Sequence, residues 1–217
     1  MSVSTKRKAD LKVVLIGAAD VGKTCLVSRY IDDSFNKSSE STIGASFFLK
    51  QWGPYNIAIW DTAGEERFSG LSTFYCRDAG AAILTYDIGN HSSFNDLRTR
   101  FLPLLPEENC LKVVVGAKLD LVTDDTKRAV SRQEARQFAT EINQTYLEKQ
   151  DSKTPLSFET SSKTGEGVTD AFEFAFSQCL AEVSGSYKIK RHTDTVDIAE
   201  ATQTPKATID KPAKKCC

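Results

Sequence analysis

Nowhere does the 217-residue sequence hold an apolar run close to the roughly 18 to 20 residues that a membrane-spanning helix needs. A spanning helix is therefore not expected. Charge of one sign is scarce too. The 28 Lys and Arg residues stand against 29 Asp and Glu, and a net charge of −1 gives no general grip on polyanions. No nucleic-acid partner is expected. Cysteine is sparse and scattered, at Cys25, Cys76, Cys110, Cys179, Cys216 and Cys217. It lacks both the C-x-x-C pairs of zinc sites and the density of a disulfide framework, so reduced cytosolic thiols are expected. The two histidines, His91 and His192, sit beside no partner motif and are assigned no catalytic role. Lys6-Arg7-Lys8 before the apolar stretch from Val13 to Ala19 imitates a short secretory signal. Lys12 and the following Asp20 argue against that reading.

In place of these features stands a repeated change of apolar period. Short β-like runs alternate with longer stretches of helical spacing, the pattern of an α/β domain with a mainly parallel sheet. Leu11–Ile16 reads as a buried strand, 47–52 and 55–60 as a hairpin around Gly53-Pro54, and 81–86 and 111–115 as further buried strands. Residues 156–158 read as a short last strand. The clearest helix follows Val168, Ala171, Phe172, Ala175, Phe176, Cys179, Leu180 and Val183. A second starts at Ser131, whose Ser-x-x-Glu134 forms a capping box, and runs through Ala135, Phe138, Ala139 and Ile142. A third holds Phe94, Leu97, Phe101 and Leu102 and ends near Pro103. Beyond about Gly185 the periodicity fails, so the expected division is a folded domain over 1–184 and a disordered tail over 185–217.

Directly after the first strand stands Gly17-Ala18-Ala19-Asp20-Val21-Gly22-Lys23-Thr24, a complete G-x-x-x-x-G-K-[ST] motif that opens a helix of Cys25, Leu26, Val27 and Tyr30. The residue types explain the chemistry. Glycines let the chain curl so that its N–H groups point inward, and the helix N-terminus adds partial positive charge. Ala19, Asp20, Val21, Gly22, Lys23, Thr24 and Cys25 are then the phosphate-binding positions, with Lys23 on the β- and γ-phosphates and the Thr24 hydroxyl on Mg2+. A glycine-rich turn with a stray lysine is the bland alternative, and the strand before and helix after weigh against it. The cradle alone separates neither adenine from guanine users nor a kinase from a switch.

The segment Trp60-Asp61-Thr62-Ala63-Gly64-Glu65-Glu66-Arg67-Phe68 closely resembles W-D-T-A-G-Q-E-R-F of Rab-type small GTPases. That resemblance implies that Asp61 reaches Mg2+ through water and that the Gly64 N–H binds the γ-phosphate. Ser41-Thr42-Ile43-Gly44-Ala45-Ser46-Phe47 is similar to the family's first switch, T-I-G-x-x-F, which gives Thr42 the implied role of Mg2+ ligand and γ-phosphate sensor. Gly116-Ala117-Lys118-Leu119-Asp120 resembles N-K-x-D, and Glu159-Thr160-Ser161-Ser162-Lys163 resembles E-T-S-A-K. By the same resemblance Ala117, Lys118, Asp120, Ser161, Ser162 and Lys163 form the guanine site. Asp120 would accept from guanine N1–H and the 2-amino group. Adenine, with an acceptor at N1 and no 2-amino group, would leave that carboxylate repelled and unsatisfied, so GTP and GDP are the expected ligands.

Phe47, Trp60 and Tyr75 match the family's effector-facing aromatic triad, with Tyr75-Cys76-Arg77 and Leu84-Thr85-Tyr86-Asp87 as further matches. Lys50-Gln51-Trp52, Tyr55-Asn56-Ile57 and Thr195-Val196-Asp197-Ile198 look most similar to one divergent vertebrate member. Cys216-Cys217 resembles the family's double-cysteine end, which implies geranylgeranylation of both thiols by a transferase working with an escort protein. Two lipid chains suffice for stable anchoring where one is marginal, and Lys214-Lys215 adds weak attraction to anionic lipid. The resemblance covers roughly residues 9–184 and the two last cysteines. It implies a P-loop small-GTPase fold, a mainly parallel six-stranded sheet with helices on both faces. It further implies a monomeric GTP-binding switch in vesicle trafficking, cycling between the cytosol and the cytosolic face of endomembranes. The implied partners are an exchange factor, a GTPase-activating protein, a GDP dissociation inhibitor and effectors.

Two departures bear on that expectation. Glu65 stands where the family carries the glutamine that orients the attacking water, and an ionised carboxylate cannot donate a hydrogen bond. Intrinsic hydrolysis is expected below the roughly 10⁻⁴ per second of a competent small GTPase, and an activating protein that supplies both an arginine and its own glutamine would make Glu65 nearly irrelevant in the cell. Ala117 replaces the family asparagine, and losing one such bond costs about 1 to 3 kcal/mol. Faster nucleotide release is expected. The rival reading is a membrane-anchored scaffold that stays bound to GTP. A nucleoside or nucleotide kinase fits only the first motif.

Overall fold

A computed structural model of the chain describes residues 9–37, 41–64, 69–148 and 156–184. Runs of Val, Ile, Leu and Ala form a sheet whose central strands are buried on both faces, as a parallel sheet covered by helices requires. In chain order the elements are β1 (Leu11–Ile16), α1 (Lys23–Asp32), β2 (Ala45–Trp52), β3 (Tyr55–Thr62), α2 (Ser69–Cys76) and β4 (Ala81–Asp87). There follow α3 (His91–Asp96), β5 (Leu111–Ala117), α4 (Arg132–Ile142), α5 (Gln144–Glu148), β6 (Ser157–Glu159) and α6 (Val168–Ser184). The strand order is β2-β3-β1-β4-β5-β6, and every pairing is parallel except the β2–β3 hairpin.

Helices cover both faces. On one, α1 lies against α6, with Tyr30 stacked on Phe172 at 4.3 Å between ring centroids. Phe176 of the same helix meets Trp52 edge-on at 5.8 Å and so holds the end of the β2–β3 hairpin. On the other face α3 and α4 meet through Phe94 and Phe138, 5.3 Å apart. Val13, Val14, Leu15, Ile83, Leu84, Val113, Val114 and Val115 fill the core between these layers. The C-terminal ends of β1, β3, β4, β5 and β6 then open onto one rim of the sheet, the usual ligand position in open α/β folds.

Element bounds differ from the sequence expectation where pairing extends a strand. The hairpin begins at Ala45 and ends at Thr62 because these two residues pair across it. The last strand is shifted by one residue, to Ser157–Glu159. The third helix starts at His91, capped by the Asn90 side chain, which accepts from the N–H groups of Ser92 and Ser93. It then widens to a π-helical turn over Leu97–Phe101 and tightens over Leu102–Leu104, which contains Pro103. Two helices carry no sequence signal: α2, rich in Ser, Thr and Gly, and the five-residue α5. Among the described residues no helix is long and apolar enough to cross a membrane. Residues 185–217, assigned above to a tail, lie outside the described residues.

Candidate phosphate and nucleotide site

The cradle is built by a turn between β1 and α1. Gly22 ends it in the left-handed region at φ 104, and no side chain caps the helix, so the first-turn N–H groups remain available to an anion. Asp20 also takes a left-handed conformation, at φ 59, which Asp tolerates better than most residues. Gly17 packs so tightly on β4 that an added Cβ would lie 2.1 Å from the carbonyl oxygen of Thr85. Lys23 is buried, and its Nζ donates to the carbonyls of Gly17 and Ala18, both at 2.8 Å. Burial pulls its pKa down to about 8 against the opposing charges of Asp61 and Asp20.

Beside Lys23 three residues from separate elements converge. The Thr24 hydroxyl donates to Asp61 Oδ2 at 2.7 Å and lies 2.9 Å from the Thr42 hydroxyl, which donates to the same oxygen at 3.3 Å. Asp61 is 0% exposed, and its Oδ1 is buried with no hydrogen-bond partner. Burial raises the Asp61 pKa, opposed by the Thr24 hydrogen bond, the Lys23 charge and the Thr42 hydrogen bond. Among the described residues no cluster of three His, Cys, Asp or Glu side chains could hold a metal. One carboxylate with a spare buried oxygen beside two hydroxyls is instead the donor set suited to Mg2+, which takes its remaining ligands from phosphate and water. Gly64 closes the space from the other side: a Cβ there would sit 2.4 Å from both Ala18 C and Ala19 N.

The base-reading segments meet at the ends of β5 and β6. Lys118 turns through φ 64, and its Nζ pairs with Asp87 Oδ2 at 2.8 Å. Leu119 N–H donates to the Thr160 carbonyl at 3.0 Å, which joins the two loops. Asp120 Oδ1 accepts from the Ser161 hydroxyl at 2.7 Å, while Oδ2 lies 4.0 Å from Lys163 Nζ. Ser161 and Ser162 are buried in the loop. Ala117 is buried too, its methyl 3.9 Å from the point where a Cβ on Gly22 would lie. Its methyl side chain can offer the cradle no hydrogen bond.

Between the two switch-like segments Phe47, Trp60 and Tyr75 form a continuous ring surface, with Phe47–Trp60 at 5.0 Å and Trp60–Tyr75 at 5.5 Å. Phe74, 61% exposed, meets Tyr75 edge-on at 5.7 Å, and Ile43, in the loop before β2, is 84% exposed. Lys12 Nζ stands 5.4 Å from the centre of the Trp60 ring and donates to the Arg77 carbonyl at 2.6 Å.

Glu65, Cys216 and Cys217 lie outside the described residues. Two groupings escape the sequence reading. Glu159 is gripped by the two terminal guanidinium nitrogens of Arg128 and by Arg132 Nε at 2.8 Å, which ties the start of the base loop to the N-terminus of α4. Burial would raise the Glu159 carboxyl, but hydrogen bonds and charge from Arg128 and Arg132 outweigh it and hold the group below the usual range. Arg29 of α1 reaches the Ser162 carbonyl from 133 residues away. No local pattern signals either grouping.

Comparison with known proteins returns a family model described as Ras family, matching residues 12–181. The chain is similar to Ras-related protein Rab-20 of Homo sapiens, at 37% identity over 93% of this chain and 97% of that protein. It is 38% identical to Rab-20 of Mus musculus over the same shares. It is also 34% identical to the Ypt/Rab-type GTPase avaA of Emericella nidulans, over 93% of this chain and 97% of that protein.

Proposed function

This chain belongs to the Ras family, and on that premise we propose that it is a Rab-type GTP-dependent switch of membrane traffic with slow intrinsic hydrolysis. The observation that carries the reading is the convergence of Thr24, Thr42 and Asp61 beside Lys23. In this reading the amides of Ala19 through Cys25 bind the phosphates, Lys23 supplies charge, and Thr24, Thr42 and Asp61 hold Mg2+. The metal, when bound, neutralises charge on the β- and γ-phosphates. Thr42 and Gly64 sense the γ-phosphate from opposite sides, and their loops order when it is present. Asp120, braced by Ser161, reads guanine together with Lys118, Ser162 and Lys163.

The ring surface of Phe47, Trp60 and Tyr75, flanked by Ile43 and Phe74, is the face offered to effectors. The domain of 1–184 acts as a monomer. The adjacent thiols of Cys216 and Cys217 take the lipid chains that attach it to the cytosolic face of endomembranes, by way of a tail over 185–217. An exchange factor, a GTPase-activating protein, a GDP dissociation inhibitor, and an escort protein with its geranylgeranyl transferase complete the cycle.

Glu65 and Ala117 support a second reading, a scaffold that remains bound to GTP. One measurement separates the two. Acid extraction of the purified protein and chromatography of the released nucleotide should yield GDP for a working switch and GTP for a scaffold. An adenine nucleotide would refute both.

A further inference from the structure

The guanidinium of Arg29 uses all three of its nitrogens. Nε donates to the Ser162 carbonyl at 2.6 Å, Nη2 to the Lys163 carbonyl at 3.1 Å, and Nη1 to the carbonyl and carboxylate of Asp33, at 2.9 and 2.7 Å. Asp33 ends α1 in a left-handed turn at φ 49, and its side chain is 92% exposed. An ion pair so exposed adds little stability of its own. Its effect is to fix the orientation of the fork, two arms of which clasp consecutive carbonyls of the base loop.

A peptide unit is planar and trans, so its C=O and N–H point in opposite directions. Fixing the Lys163 carbonyl on Arg29 therefore aims the Thr164 N–H at the other side of the loop. There it donates to the Ser161 hydroxyl at 3.1 Å. That hydroxyl in turn donates its own hydrogen to Asp120 Oδ1 at 2.7 Å. A continuous relay thus runs from the arginine through the 163–164 peptide and Ser161 to the carboxylate that reads the base. The helix that carries Arg29 is the one whose first turn carries Lys23 and Thr24.

We propose that Arg29 is a positioning residue for base selectivity, holding Asp120 in register through the 163–164 peptide and Ser161, and so linking the phosphate helix to the guanine site. The inference rests on the guanine-binding reading above. Arg29 touches no part of the nucleotide; it acts on Asp120 through the loop. Without the fork the loop carbonyls turn to water, the Thr164 N–H loses its aim, and the Ser161 hydroxyl no longer fixes the carboxylate. Contacts to the guanine 2-amino group then weaken more than contacts to the phosphates.

The test uses the full chain loaded with fluorescent GDP or with fluorescent IDP, which lacks only the 2-amino group. Dissociation rates of both are measured for the wild type, Arg29→Gln, Arg29→Lys and Ser161→Ala. The wild type should release IDP about tenfold faster than GDP, the worth of one charge-assisted hydrogen bond. In Arg29→Gln, GDP release should rise about tenfold while the IDP-to-GDP ratio falls at least about threefold. Arg29→Lys, which keeps the charge on a single nitrogen but loses the fork, should fall between. Combining Arg29→Gln with Ser161→Ala should add almost nothing to either alone, because both cut one relay. An unchanged GDP rate in Arg29→Gln, or equal acceleration of GDP and IDP, would overturn the inference and leave Arg29 a general brace. A wild type that binds neither nucleotide would overturn the guanine reading itself, a different outcome.

Discussion

The hydroxyls of Thr24 and Thr42 lie 2.9 Å apart and both donate to the same oxygen of Asp61, although one comes from the first turn of α1 and the other from the loop before β2. Replacing Asp61 with Asn removes the charge and turns one oxygen into a donor facing these hydroxyls. Mg2+ affinity should fall about 10- to 100-fold. The check is GDP release with and without EDTA: the wild type should be slowed by Mg2+, and Asp61→Asn should release GDP quickly in both conditions.

Ala117 has no polar side-chain group to offer the cradle. Ala117→Asn supplies an amide that can bond both the base and the turn of Gly22. Nucleotide release should slow by about five- to a hundredfold, the value of a regained bond of about 1 to 3 kcal/mol. A dissociation rate that does not move would show that the cradle is braced by other means.

Under the proposed switch reading, Glu65 takes the sequence position of the glutamine that orients water against the phosphate. Glu65→Gln should raise single-turnover hydrolysis of bound GTP above the wild-type rate, measured as phosphate released without an activating protein. No change would mean that the residue has no part in the intrinsic reaction.

The carboxyl of Glu159 is held below its ordinary range by Arg128 and Arg132. Just below that range the unfolded chain binds more protons than the folded one, so stability rises with pH there. The contribution is complete above the ordinary value of about 4.3 and is lost as pH falls through the lower folded value. Glu159→Gln should cost about 1 to 3 kcal/mol at neutral pH. Denaturant melts at successive pH values should show the gap between variant and wild type closing only in acid.

Lys23 shares that sign for another reason, because burial brings it down to about 8. Between there and its unfolded value of about 10.4 the unfolded chain holds more protons, so the free protein gains stability as pH rises. Phosphate beside the amine favours its charged form, and binding of GDP should take up protons near about pH 8.5. Calorimetry in two buffers of different ionisation enthalpy measures the uptake; identical heats would contradict it.

The parts of this site that sequence reveals are those where chemistry and neighbourhood coincide. Gly22, Lys23 and Thr24 are adjacent in the chain and adjacent at the cradle, and a buried strand precedes them. The same holds for Asp61 at the end of β3 and for Asp120 after β5. Arg29 and Glu159 could not be read this way, since an arginine inside an amphipathic helix looks solvated whatever carbonyl it meets across the fold. The eight-residue α2 was hidden for a local reason: Ser69, Gly70, Ser72 and Thr73 are poor helix formers, and their helix owes its existence to tertiary context. The β2–β3 hairpin was visible in outline, but its extra pairs at Ala45 and Thr62 follow from register rather than composition.

At Gly17 the backbone runs at φ 151 and any side chain would enter the Thr85 carbonyl. Mutation cannot explore that position without pulling the cradle off β4. Ala19 and Asp20 are exposed, although the left-handed backbone of Asp20 at φ 59 admits few residue types. The turn is thus fixed at both ends, by the wall at Gly17 and the left-handed backbone of Gly22, and side-chain changes that retune nucleotide handling are confined to the exposed positions between them.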